Sequence, residues 1–422
     1  MSFDFSSYIQ DRFPNIPLTS SFSVEFLAGG FTNHTARVSF ELPVALPFSV
    51  ASGFGSALSP PKSIKSAVLK HAEPYLVANP TQKLPITRQL VEHRALCILS
   101  GEDREFSKFS EKVRSGIAFK RGVVRLPKLL WHDEENKVLW IEDLGQMKTL
   151  SEVLLDEKGN RSKDLRKPAE ELGAFVAEMH QLTTNPPSEL LQYLTSLSHN
   201  DGVAELLVAV TQEVFRTRGV DGNEATGLLR RVKESFGVRD VEGVCLGMVD
   251  FWTDNVLLEH TAQGELLKCG LVDWEYFGPS SAPSEMGMFL AHLQLHILNS
   301  TATNATKMTI QSFIIAMYEA YATTNGTEWR PSHNFVRRFL LSHGRELVND
   351  VHFYTTSLDE SSKRRLLNAG LRSLRAAGGS VEEIDLSILR ASICTEADLN
   401  GLEAEGIRWI WDALLALRFD ST

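Results

Sequence analysis

Three side chains near the middle of the chain have the types and spacing to handle phosphate: Asp250, Asn255 and Asp273. Asp250 and Asn255 are separated by four residues. That is the spacing of loops that transfer a phosphoryl group, in which the Asp takes the proton of the attacking hydroxyl and the Asn helps to hold magnesium. An apolar strand follows (Val256, Leu257, Leu258), then a turn at Ala262, Gln263 and Gly264, then a second strand from Cys269 to Val272 that delivers Asp273. Such a hairpin places three oxygen-bearing groups at one end of a rigid element. Mg²⁺ suits that set, because it takes one or two carboxylates and leaves its other positions to water and phosphate. The pattern is short, and a plain hairpin with a few surface acids satisfies it too.

The elements that must position these groups can be read on both sides of them. Ser23 to Leu27 reads as a strand, and Gly29, Gly30, Phe31, Thr32 and Asn33 form a turn into a second strand through Ala36, Val38 and Phe40. Paired glycines let a backbone pass close to a ligand, as phosphate cradles do, although they also make ordinary hairpins. Residues 43–66, rich in Pro, Ser and Gly, read as a long loop. Ala67 to Lys70 is a short strand ending in lysine, the form in which a lysine grips nucleotide phosphates. Glu92 on the next helix is placed to pair with it, with Arg88 one turn earlier as a rival partner for that glutamate. Residues 101–123 read as charged loop or frayed helix.

Val138 to Ile141 is an apolar strand running into Glu142, Asp143, Leu144 and Gly145. A strand ending in such a connector is what a hinge between lobes needs, with main-chain groups free to pair with adenine. The expected division is 1–144 and 145–422, with the hinge at 141–147. Beyond it helical periodicity dominates: Leu172 to Met179 after Pro168, Ile310 to Tyr321, Phe335 onward, and an amphipathic stretch at 401–419. His180 reads as structural; Glu346, Asn349 and Asp350, the acids and amide of the stretch 344–350, have the types to face a pocket, with solvated surface the simpler reading. Strands first, then a hairpin among helices, give an α+β architecture of two lobes.

Composition narrows the function classes. The 422 residues are 43% hydrophobic and 23% charged, with a net charge of -10, which argues against tracking a nucleic-acid backbone. Cys97, Cys245, Cys269 and Cys394 form no CxxC pair, so neither zinc nor a disulfide framework is expected. The first residues lack the pattern of a signal peptide, and no window approaches the roughly 20 apolar residues of a membrane span. A cytoplasmic protein without membrane partners is the expectation, and the sequons at Asn33, Asn299, Asn304 and Asn325 read as chance matches.

Taken in order, glycine turn, strand lysine, helix glutamate, hinge strand, Asp-x4-Asn and strand Asp agree far better than chance would arrange. The chain resembles the aminoglycoside phosphotransferase and choline kinase group of small-molecule kinases over roughly residues 20–300. The similarity is carried by FLAGGFTNHTARV, SAVLKHAEPYL, RQLVEHRAL, VLWIEDLGQMKTL, LGAFVAEMHQL, MVDFWTDNVLL and LVDWEYFGPSSAPSEMGMFLAHL. GGF-x-N, LKHA, GQMKTL and DFWTDN point to the methylthioribose-kinase-like and fungal 4-hydroxytryptamine kinase branches.

The resemblance implies a bilobal protein-kinase-like fold with a small β-rich N-lobe and a larger helical C-lobe. It implies ATP and Mg²⁺ as cofactors and transfer to a hydroxyl of a small metabolite such as a hydroxylated amine or sugar. Asp250 would be the catalytic base, and Asn255 and Asp273 the metal ligands. Lys70 with Glu92 would hold the phosphates under the 29–33 turn, and Glu142, Asp143 and Leu144 would receive adenine. Glu275 would lie at the pocket mouth, toward substrate, while Trp252 and Trp274 pack around the loop.

Three departures stand out. Met248-Val249-Asp250 replaces the usual His-Gly-Asp, Asp254 stands where Gly is common, and Glu285 replaces an Asp at the next helix start. A non-catalytic nucleotide-binding pseudokinase is therefore the alternative. A protein kinase is not expected, because the His-Arg-Asp, Asp-Phe-Gly and Ala-Pro-Glu set is missing. Oligomeric state leaves no mark on the sequence.

Overall fold

In the computed structural model the described residues are 3–13, 22–27, 32–46, 63–117, 123–156, 165–198, 200–237, 243–260, 266–326, 329 and 331–379. The chain opens with helix α1 (Phe5–Arg12), capped by the Asp4 carboxylate, which accepts from the N–H groups of Ser6 and Ser7. Strands β1 (Phe22–Phe26), β2 (Asn33–Ala45) and β3 (Ser63–Ala72) follow, then the small hairpin β4 (Tyr75–Leu76) and β5 (Asn79–Lys83). Next come helices α2 (Arg88–Ser100) and α3 (Ser107–Gly116), and strands β6 (Val124–Arg125), β7 (Leu129–Asp133) and β8 (Val138–Glu142). Five of the strands form one antiparallel sheet in the order β1-β2-β3-β8-β7.

Alternation along these strands decides which face each side chain serves. Ala67 and Leu69 of β3, with Val138 and Trp140 of β8, bury one face against Phe5, Tyr8 and Ile9 of α1. Val68, Leu139 and Ile141 face the other way, onto the core that contains Val91, Ala95 and Leu96 of α2. Lys70 shares the parity of Val68, so it points toward α2 rather than toward α1.

The remainder is mainly helical. Strand β9 (Lys148–Thr149) enters α4 (Leu150–Leu155) through a capping box, in which Thr149 and Glu152 satisfy each other's backbone N–H. Then come α5 (Arg166–Thr183), α6 (Ser188–Leu197), α7 (Asn200–Arg218) and α8 (Gly222–Ser235). A short β10 (Cys245–Gly247) precedes the hairpin β11 (Val256–His260) and β12 (Leu266–Leu271), and β13 (Gly278–Ser280) returns to pair with β10. The hairpin is flanked by β6 and β9 in a sheet ordered β6-β12-β11-β9. Helices α9 (Ala282–Leu298), α10 (Asn304–Asn325), α11 (His333–Phe353) and α12 (Glu360–Ala376) complete the described chain. Bare glycines let two pairs cross closely. A Cβ on Gly173 of α5 would lie 2.1 Å from the Met317 carbonyl oxygen of α10, and one on Gly287 of α9 would lie 2.4 Å from that of Phe339 on α11.

The architecture is the expected α+β one, a β-rich first lobe followed by a larger helical lobe. Several expectations are corrected. The stretch 43–66 is not all loop, because β2 runs to Ala45 and β3 starts at Ser63, extending the hairpin past an irregularity between Ser39 and Val44. Part of 101–123 is the helix α3, with Phe109 and Val113 buried. The stretch Gly344–Asp350 is buried, not solvated surface, because α11 is covered on all sides there. Helices α6 to α8 and α12 were not foreseen. The expected helix at 401–419 and Cys394 lie outside the described residues. Among the described residues no helix is long and apolar enough to cross a membrane.

Candidate active site

Strand parity brings Lys70 to Glu92. The Lys70 ammonium donates to Glu92 Oε1 at 2.8 Å and Oε2 at 2.9 Å, and to Asp273 Oδ1 at 2.5 Å. Burial alone would lower the lysine pKa, but Asp273, Glu92 and Glu275 outweigh it and hold the pKa raised, so the ammonium stays charged. Gln89 on the same helix donates to the carbonyls of Lys70 (2.9 Å) and Lys137 (2.7 Å), tying α2 to β3 and to the residue before β8. The rival pairing of Arg88 with Glu92 does not form.

Arg88 is instead the residue that sequence reasoning missed. It is fully buried and reaches back to the turn before β2, donating to the Thr32 carbonyl at 2.9 Å and to Asn33 Oδ1 at 3.1 Å. Asn33 Nδ2 in turn donates to Glu275 Oε2 at 2.6 Å, and Arg88 Nε stands 3.5 Å from that same oxygen. The end of the glycine turn is thereby clamped to the strand exit that carries Asp273. Gly29, Gly30 and Phe31 lie outside the described residues. The signal was available: Arg88 is in register with Val91 and Ala95 on the apolar stripe of its helix, where an arginine needs partners. Glu275 is buried at 1% exposure, not at a pocket mouth, and burial followed by Asp273 pushes its pKa up to about 7.

The other predicted residues converge from β10 to β12. Asn255 closes a 3-10 turn, and its Nδ2 donates to the Asp250 carbonyl at 2.9 Å, which leaves its amide oxygen as a free acceptor. Asp273 follows β12 with φ +68°, and its carboxylate is more open than its neighbours, at 30% exposure. Asp250 is half-buried. Burial, then the charges of Asp273, Glu346 and Glu275, push its pKa up to about 8, opposed by Arg345. One carboxylate and one amide oxygen beside a lysine are a donor set that fits magnesium, which prefers oxygen and few protein ligands.

The unusual Met248-Val249-Asp250 loop has its own brace. Val249 has φ +66°, a conformation suited to glycine and costly for a β-branched residue. Its N–H donates to Glu285 Oε1 at 2.8 Å, while Glu285 Oε2 lies 3.0 Å from His180 Nε2, and His180 Nδ1 lies 3.1 Å from the Tyr321 hydroxyl. His180 is thus structural, and Glu285 anchors the loop from the start of α9. Trp274 is fully buried, whereas Trp252 is half-buried with its ring 5.6 Å from that of His292.

At the exit of β8 the expected adenine segment is latched to the sheet. Arg37 of β2 donates from Nε to Asp143 at 3.1 Å and from Nη2 to the Gly145 carbonyl at 2.8 Å. The Asp143 side chain is therefore engaged by protein, and Glu142 accepts from the Lys128 N–H at 3.2 Å.

No family model matches the chain. It is similar to the 4-hydroxytryptamine kinase of Psilocybe cyanescens, 27% identical over 271 residues, covering 63% of this chain and 66% of that protein. The 4-hydroxytryptamine kinase of Psilocybe cubensis is 26% identical over 280 residues, covering 64% of this chain and 67% of that protein. The chain thus spans about two thirds of the length of the curated relatives it matches. Among solved structures, the ethanolamine kinase of Plasmodium vivax overlays with a TM-score of 0.45 at 11% identity, covering 94% of this chain and 89% of that one. Its similarity is thus to two proteins that are each named 4-hydroxytryptamine kinase.

Proposed function

We propose that the protein is an ATP- and Mg²⁺-dependent O-phosphotransferase acting on a hydroxyl of a small metabolite, a hydroxylated amine or a sugar. The observation that carries this reading is the meeting of Lys70 with both Glu92 and Asp273, beside Asp250 and Asn255. In it Asp250 orients the acceptor hydroxyl and accepts its proton, and Lys70 turns from Asp273 to the nucleotide phosphates while Glu92 keeps it in place. Asn255 and Asp273 would hold magnesium, which when bound supplies neutralising charge against the phosphates. We place the hinge at 141–147, between lobes 1–144 and 145–422, with main-chain groups of Glu142 to Leu144 receiving adenine. The shared name of these two relatives makes 4-hydroxytryptamine the first acceptor to try. The free thiols of Cys97, Cys245 and Cys269 fit a reducing compartment such as the cytoplasm.

Thermal unfolding with and without ATP and Mg²⁺ tests the nucleotide site. A ligand at a hundred times its dissociation constant adds about 2.7 kcal/mol to stability. The expected result is a rise in the wild-type midpoint that needs magnesium and is lost in Asp273→Ala. No rise with the wild type would overturn the reading.

A further inference from the structure

Asp273 lies just beyond the end of β12 at Leu271, in the left-handed region at φ +68°. An aspartate tolerates that conformation, but its surroundings must select it. Two of the contacts that do so originate on helix α2. Glu92 Oε1 accepts from the Trp274 N–H at 3.3 Å. One helical turn earlier, Arg88 reaches the residue after Trp274 through an intermediary of β2. Its Nε donates to Asn33 Oδ1 at 3.1 Å, and Asn33 Nδ2 donates to Glu275 Oε2 at 2.6 Å. The segment 273–275 is thereby gripped at two successive residues from one helix. A further hold is the Lys70 ammonium on Asp273 Oδ1 at 2.5 Å, which is given up when that lysine turns to phosphate.

Arg88 is itself fixed in place. Nη1 donates to the carbonyls of Pro85 at 2.9 Å and Leu84 at 3.3 Å, and Nη2 to that of Thr32 at 2.9 Å. All three guanidinium nitrogens therefore donate within the protein, at 0% exposure, so any influence on a ligand runs through Asn33 and Glu275. A rigid planar fork can serve this spread of acceptors, whereas the single nitrogen of a lysine cannot.

We propose that Arg88 is a positioning residue for Asp273: through Asn33 it holds the 273–275 segment in the turn that aims the Asp273 carboxylate, and so sets the share of nucleotide affinity that depends on metal. The proposal rests on the phosphotransferase reading and goes beyond it, by assigning this work to a side chain wholly shielded from solvent. Aim matters because Mg²⁺ demands near-ideal octahedral geometry from its few protein ligands. Groups that orient a metal ligand from behind cost about 10–100-fold in metal affinity when removed.

The test is isothermal titration of the full chain with ATP, once with Mg²⁺ and once with EDTA, which gives the gain in affinity that magnesium brings. Wild type, Arg88→Ala, Asn33→Leu and Arg94→Ala are compared. Asn33→Leu breaks the same link at nearly constant volume with the arginine retained, and it decides the matter alone if Arg88→Ala does not fold. Arg94 stands on the same helix but pairs with Asp103 and Glu105, each at 2.8 Å, so its loss destabilises without touching the 273–275 segment. The magnesium gain should shrink about tenfold or more in Arg88→Ala and in Asn33→Leu. In Arg94→Ala it should stay as in the wild type. An undiminished gain in Asn33→Leu overturns the proposal and makes Arg88 a packing residue. An equal loss in Arg94→Ala overturns it too, by tracing the effect to general destabilisation. So does a wild type that gains nothing from magnesium, and one that binds no ATP sinks the phosphotransferase reading as well. A wild type with an Arg88-dependent magnesium gain that phosphorylates no acceptor would sink that reading alone and leave the positioning role standing.

Discussion

Val249 shows at single-residue scale how this chain departs from the pattern it resembles. Where the related loops carry glycine, valine is held at φ +66° by the hydrogen bond from its N–H to Glu285. Strain of this kind costs on the order of 1–3 kcal/mol, so something must hold it, and the buried Glu285–His180 pair does. The Val249→Gly variant should therefore change stability by no more than about 1 kcal/mol, relief of strain offsetting the added backbone freedom. Urea unfolding measures this, and a loss well beyond that figure would show the loop to be unstrained. The sequence displayed the missing glycine but not the brace, because Glu285 lies 36 residues further on and only the fold brings its carboxylate to Val249. Asp250, Asn255, Asp273, Lys70 and Glu92 were legible because each occupies a short local pattern. Arg88 was not, since its partners depend on helix packing.

At the scale of elements, the site is held between crossing helices. Helix α9 carries Glu285, α11 carries Glu346, and the two approach closely because Gly287 has no side chain. Gly287→Ala should push α11 away through the Phe339 carbonyl and cost about 1–3 kcal/mol by overpacking. Chemical denaturation would register it, and an unchanged midpoint would mean that the crossing has room to spare. The amphipathic strands and α5 were readable from period alone. The nature of α11 was not, because a helix buried on every side shows no polar stripe to orient it. Its acids then read as solvated surface or pocket lining; they are buried, and the charge of Glu346 acts on Asp250.

For the whole molecule, the buried titratable groups set a pH profile. The pKa of Asp250 is pushed up to about 8 and that of Glu275 to about 7, so the folded protein keeps protons that the unfolded chain has already released above pH 5. Stability contributed by these two groups is lost as pH rises through their folded values. In the opposite direction, burial lowers the pKa of His132 and of His296 to about 4 each and that of His343 to about 3. Acidification below about pH 6.5 therefore favours the unfolded chain, where these imidazoles can charge. Without ligands, stability should peak near pH 6.5 and fall toward pH 8.5, the Asp250 share of that fall being at most about 2 kcal/mol. Melting curves across that range check it, and a profile still rising at pH 8.5 would contradict the raised carboxylates.

The central claim is that Asp250 serves phosphate transfer to a small hydroxyl. The most direct measurement is ADP release with ATP, Mg²⁺ and hydroxylated amines, 4-hydroxytryptamine first, followed by phosphorus NMR of the product. The wild type should form a phosphate ester. Asp250→Asn should lose about 10²–10⁴-fold in turnover while keeping its ATP and Mg²⁺ melting shift. Equal turnover in the two chains would remove Asp250 from the chemistry. A wild type that binds ATP yet phosphorylates no acceptor would make the protein a nucleotide-binding module, not an enzyme.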